Sequence, residues 1–103
     1  MISEQLSFLP DSLPDSHPFP PARERTVWNA LPQRVKDRFL KAGEAALAAT
    51  IAPLPLSLWL DFTRTGRRAA WEDAYFSRRA RLCALVCAEC VEHTGRFLGA
   101  IAD

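Results

Sequence analysis

The chain has 103 residues and a mass of 11.5 kDa, which allows one small domain. Apolar residues make up 49% and charged residues 24%, a globular balance that argues against a disordered or fibrous class. The formal net charge of +1 supplies no global field to draw the protein to nucleic acid or an anionic surface.

Residues 1–21 read as a Pro-rich arm, and residues 22–103 as a helical segment. Pro10, Pro14, Pro18, Pro20, Pro21 and Pro32 crowd into the start of the chain, and residues 1–20 carry Glu4, Asp11 and Asp15 with no Lys or Arg. Each proline lacks an N–H and biases its predecessor away from helix, so the arm is expected to be extended or turn-rich. It is either disordered or laid along a neighbouring surface through Phe8, Leu9, Leu13 and Phe19. The first residues lack the basic region of a secretory signal, and Pro10 breaks the apolar run that follows. No run of about 18 apolar residues exists, so no membrane partner is expected. Three cysteines clustered on one segment do not form a disulfide framework, and the plain expectation is a cytoplasmic protein with reduced thiols.

From Ala22 the periodicity turns helical. A short first helix is expected over Ala22 to Leu31, and Pro32 suits the first turn of a second. On that second helix Val35, Phe39, Ala42 and Ala46 form the apolar stripe, before Ala52-Pro53-Leu54-Pro55 stops it. Ser57 is a candidate cap for a third helix through Thr65, which Gly66 closes. The fourth and longest is expected over Ala69 to Thr94, with Gly95 as its stop. Its stretch from Leu82 to Val91 is apolar on most sides, as in a helix flanked by others. Residues 96–103 begin another helical pattern that breaks off as if the chain were cut. Three short helices cannot shelter the fourth, so either the protein associates with itself or it belongs to something larger.

Cys83, Cys87 and Cys90 spell C-x3-C-x2-C, the spacing that radical-SAM proteins use for an iron–sulfur cluster. On a continuous helix their sulfurs are strung over about 10 Å and cannot converge on a cluster. Core packing is the preferred reading, and no metal or cofactor is expected. His17 stands in the arm, and His93 reads as a solvated helix-end histidine, so a nucleophilic triad has no support. Arg64, Arg67, Arg68, Arg78, Arg79 and Arg81 interleave with Trp59, Trp71, Tyr75 and Phe76. Such a patch suits an anionic polymer, but the preferred reading is the plainer one, in which Glu72 and Asp73 pair with Arg68 and Arg79 or stay solvated. Asp61 and Glu89 interrupt apolar faces, and if buried each needs an arginine such as Arg64 or Arg79.

The run Pro55-Leu56-Ser57-Leu58-Trp59-Leu60-Asp61-Phe62-Thr63-Arg64-Thr65-Gly66-Arg67-Arg68 resembles a segment near the start of bacterial heparinase II/III-like proteins. Tyr75-Phe76-Ser77-Arg78-Arg79, then Ala88-Glu89-Cys90-Val91-Glu92 and Gly95-Arg96-Phe97-Leu98, follow at matching distance, and Arg23-Glu24-Arg25 with Trp28 fits upstream. The resemblance spans about residues 17–103 and implies an all-α chain of antiparallel helical hairpins, the opening segment of an (α/α) toroid. It implies a lyase that cleaves acidic, uronate-containing polysaccharide by β-elimination. The catalytic residues of such proteins lie in later segments, so none is assigned here and this chain alone is expected to be inactive. Arg64, Arg67, Arg68 and Trp59 are the candidate substrate contacts. The alternative is a stand-alone helical interaction module that dimerises through the helix around residues 70–94.

Overall fold

The computed structural model describes residues 18–103, and every regular element among them is an α-helix. α1 spans Arg25–Asn29, α2 Gln33–Ala48, α3 Leu56–Thr65, α4 Ala69–Glu92 and α5 Leu98–Ala102. Among the described residues no helix is long and apolar enough to cross a membrane. Residues 1–17 of the expected arm, His17 included, lie outside the described part.

The expected helices are present in the expected order, with boundaries moved where one backbone group decides. Pro32 is not in the first turn of α2 but just before it, with φ −55° and ψ 143°. Pro55 stands in the same place before α3, so Ser57 lies inside the helix and caps nothing. Gly66 closes α3 as expected, in the left-handed conformation at φ +73° that glycine adopts without steric cost. α4 stops at Glu92 and not at Thr94. His93 there takes the left-handed conformation, φ +56°, and its N–H donates to the Glu89 carbonyl at 2.7 Å. Gly95, the expected stop, instead shapes the next turn at φ +85°.

α2 and α4 run antiparallel. Gly43 meets Ala88, while three residues on along α2 the Ala46 carbonyl meets Arg81, seven residues back along α4. The contact is close because Gly43 has no side chain: a methyl added there would fall onto that of Ala88 and crowd the Phe97 ring. The core is correspondingly small, formed by Ala46, Leu85, Ala88 and Phe97, with Leu40, Ala84, Ala100 and Ile101 packed around it. Phe97 and Leu85 are fully buried, each contributing about 2 kcal/mol by area. The α2 stripe is therefore shifted. Gly43 takes the inward position expected for Ala42, which is exposed.

Polar groups tie this core to its surroundings. Glu89 is buried, yet no arginine meets it. Its carboxylate accepts the N–H of Gly95 at 2.7 Å and of Phe97 at 3.2 Å, which fixes the turn that delivers Phe97 to the core. Asp61, for which a guanidinium is expected only on burial, is exposed. Helix C-termini leave carbonyls without partners, and here cations from other elements reach them. Lys36 donates to Asn29 at the end of α1, and Arg25 to Cys90 and Val91 at the end of α4. Arg81 donates to Ala46 near the end of α2 and to Ala100 in α5.

Part of the described surface is apolar. On α4, Phe76, Leu82 and Val86 are 54%, 46% and 40% exposed, so the helix packs along one side only. The expectation that this helix outgrows the shelter of its neighbours matches its exposed face.

Gly43→Ala should lower unfolding stability by about 1–3 kcal/mol, read as a lower denaturant midpoint at unchanged slope, because the close crossing has no room for a methyl. A second expectation concerns the turn after α4. Hydrogen bonds from Arg96 and then Thr94 hold the Glu92 carboxyl below its ordinary 4.5. A carboxyl lowered on folding stabilises the fold above its unfolded value, and that contribution fades as pH falls through the folded value. The stability difference between wild type and Glu92→Gln should therefore be constant at neutral pH and shrink below 4.5 in acid denaturation series.

Candidate functional site

α3 carries Trp59 and Phe62 three residues apart, and the N-terminal part of α4 carries Trp71 and Tyr75 four apart. Those spacings put each pair on one helix face. The left-handed turn at Gly66 reverses the chain so that the two faces meet. Trp59 lies 5.6 Å from Phe62 and 5.5 Å from Trp71, the latter edge-on at 67°. Trp71 stacks on Tyr75 at 4.9 Å and 11°, and Tyr75 meets Phe76 edge-on at 5.3 Å. These are favourable offset and edge geometries, each worth about 1 kcal/mol beyond burial.

Between the two helices a cavity of about 170 Å³ opens, lined by Trp59, Phe62, Trp71, Arg68 and Glu72. Arg68 Nε stands 3.1 Å from Glu72 Oε1, one turn apart and largely in solvent. The pairing of Arg68 with Glu72 is thus present. Asp73 is exposed, as in the solvated alternative, and Arg79, its expected partner in the other, lies over the Tyr75 ring at 5.7 Å. Of the four candidate substrate contacts, the structure brings Trp59 and Arg68 together. Arg64 and Arg67 are exposed and do not line the cavity. Phe62, Trp71 and Glu72 complete it. The i, i+3 spacing of Phe62 from Trp59 was the available signal for the first of these.

The arginines do not form one continuous patch. Arg78 Nη1 donates to the Ala52 carbonyl at 2.9 Å, and Arg81 is held between Ala46 and Ala100. Arg78 braces the connector between α2 and α3, Arg81 ties α2 to α5, and neither lines the cavity between α3 and α4.

The cysteines lie on α4 but outside the core, contrary to the packing expectation. Cys83 is exposed, and Cys87 and Cys90 are half-buried, because the core side of α4 is taken by Leu85 and Ala88. Among the described residues no three His, Cys, Asp or Glu side chains converge at metal-binding distance. His93 is exposed at the far end of α4, about 33 Å from Trp71 along the axis. The aromatic cavity therefore has recognition groups, aromatic rings beside a guanidinium–carboxylate pair, with the histidine remote from it.

No family model, curated protein or solved structure matches the chain.

Burial, and then the neighbouring Cys83, raises the Cys87 thiol above its ordinary value. Burial and then Cys87 raise that of Cys90. Iodoacetamide at neutral pH should therefore alkylate Cys83 first, with Cys87 and Cys90 lagging several-fold and catching up as pH rises, as peptide mass mapping would show.

Proposed function

We propose that these helices are the opening segment of an (α/α) toroid of the heparinase II/III-like kind, contributing a contact to acidic polysaccharide and no catalysis of their own. The observation that carries this reading is the cavity between α3 and α4. Its Trp59, Phe62 and Arg68 all come from the Pro55–Arg68 run that resembles those lyases, and Trp71 supplies a further wall. The faces of aromatic rings suit the C–H groups of a pyranose, and a guanidinium suits a uronate carboxylate in fork geometry. The antiparallel pairing of α2 with α4 fits a helical toroid. The uncovered face of α4 fits a position beside further helices.

That same face supports a second reading, a helical interaction module that pairs through α4. Phe76, Leu82 and Val86 are the residues it would bury.

One set of samples separates the two. A uronate oligosaccharide titrated against tryptophan fluorescence should bind at least about tenfold tighter than a neutral one of equal length. Trp59→Ala and Arg68→Ala should each weaken that binding by about tenfold, roughly 1.4 kcal/mol. The absorbance of unsaturated uronates should not rise. Equal affinity for the neutral sugar would sink the polysaccharide reading, and turnover by this chain would overturn its catalytic silence. A dimer in sedimentation velocity without sugar binding would establish the interaction module in its place.

A further inference from the structure

A second cleft, of about 410 Å³, lies where the connector between α2 and α3, the middle of α4 and the end of α5 meet. Its walls differ in chemistry. The α4 wall carries Arg78 and Arg79, with Tyr75 before them and Leu82 after. The facing walls are aliphatic, Ile51 and Leu54 from the connector and Ile101 from α5. Tyr75 and Leu82 lie about 10 Å apart along the helix axis, which sets the length of the basic wall. Leu82 is 46% exposed, so apolar surface here is open to an incoming molecule.

The guanidinium groups are oriented but not used up. Arg78 Nη1 donates to the Ala52 carbonyl at 2.9 Å, which holds the side chain against the connector. Arg79 rests over the Tyr75 ring, 5.7 Å from its centroid. A guanidinium has five N–H donors, so each keeps several for an anion. Arg81 turns toward α5, with Nε on the Ala46 carbonyl and Nη1 on that of Ala100. Asp103, three residues past Ala100, brings the one acidic side chain of the lining to the same side. The charges of Arg81 and Asp103 offset each other there, and the unopposed positive charge stands with Arg78 and Arg79.

We propose that this cleft binds a small amphipathic monocarboxylate, a free alkanoate. Its carboxylate lies between Arg78 and Arg79, which offer the fork geometry that suits two carboxylate oxygens. Its alkyl chain lies along Leu82, Leu54, Ile51 and Ile101. At about 30 Å³ per group the size of a water molecule, the cleft takes roughly thirteen heavy atoms, an acid of about eight to ten carbons. Each half of the ligand answers one wall. An alcohol of equal length leaves the arginines without an anion, and a shorter acid leaves the aliphatic walls wet. The proposal rests on neither the lyase reading nor the pairing reading.

Methyl NMR of the intact chain, titrated with hexanoate, octanoate and decanoate below their micelle concentrations, tests it. The Leu82, Leu54 and Ile101 methyls should shift and saturate, with those of Leu85 in the core unmoved. Each added methylene should tighten binding by up to about fourfold. Octanol and octyltrimethylammonium should bind at least about fivefold more weakly than octanoate, and about 0.5 M salt should narrow that gap. Arg79→Ser should abolish the preference for octanoate over octanol, and Leu82→Ser should flatten the dependence on chain length. Asp103→Asn should tighten octanoate, because it removes the one opposing side chain. Unchanged Leu85 shifts in each variant show that the fold is intact. Equal affinity for octanol and octanoate overturns the proposal, and so does affinity that does not rise with chain length. Shifts that begin only when micelles form, or that centre on Val86 along the bare face of α4, overturn it as well.

Discussion

The close approach of α2 to α4 at Gly43 and Ala88 is the constraint on which the rest of the structure depends. With both side chains this small, the two backbones come near enough for Phe97 to lie against the crossing with its whole ring out of water. Ala46 and Leu85 are sealed by the same contact. The core of this chain is thus built on one helix crossing capped by one aromatic side chain, and it is placed well toward the C-terminal end of α4. Glu89 belongs to the same assembly. Its carboxylate bonds two backbone N–H groups of the turn, so the charge is solvated by the chain that it positions.

Around this crossing, long cations hold helix ends. Lys36, Arg25 and Arg81 each reach from one helix to carbonyls in the last turn of another, where the backbone has lone pairs and the dipole is negative. These bonds are charge-assisted and therefore stronger than amide–amide bonds. They link elements whose mutual apolar contact is slight. A chain with a small core gains much of its tertiary definition this way. The same use removes several arginines from any outward-facing surface.

α4 consequently has different work at its two ends. Its C-terminal half carries the core, and its N-terminal half carries the Trp71 and Tyr75 rings that meet α3. Between and beside them Phe76, Leu82 and Val86 stay in water, at an apolar cost that further packing would relieve. The polysaccharide reading and the pairing reading both start from this division. In the first, the aromatic end meets sugar and the bare face meets more helix. In the second, the bare face meets its own copy.

Much of this was legible in the sequence, for reasons local to the chain. Proline, glycine and the 3.6-residue period act within a few residues, so the order of the helices and the stop at Gly66 follow from the residues themselves. So does the surplus of apolar surface on the longest helix, which needs only counting. The site was partly legible: Trp59 and Arg68 stand close in sequence to the turn that joins α3 to α4. Tertiary structure decided the rest. It chose Gly43 over Ala42 as the inward position, left Cys83 in water, gave Glu89 two amides in place of a guanidinium, and sent Arg78 and Arg81 to distant carbonyls. Each of those outcomes depends on which helix face another helix covers, and on which carbonyls lie within reach of a long side chain. Such distances are set by the crossing of whole elements, and the residue pattern of one element does not contain them.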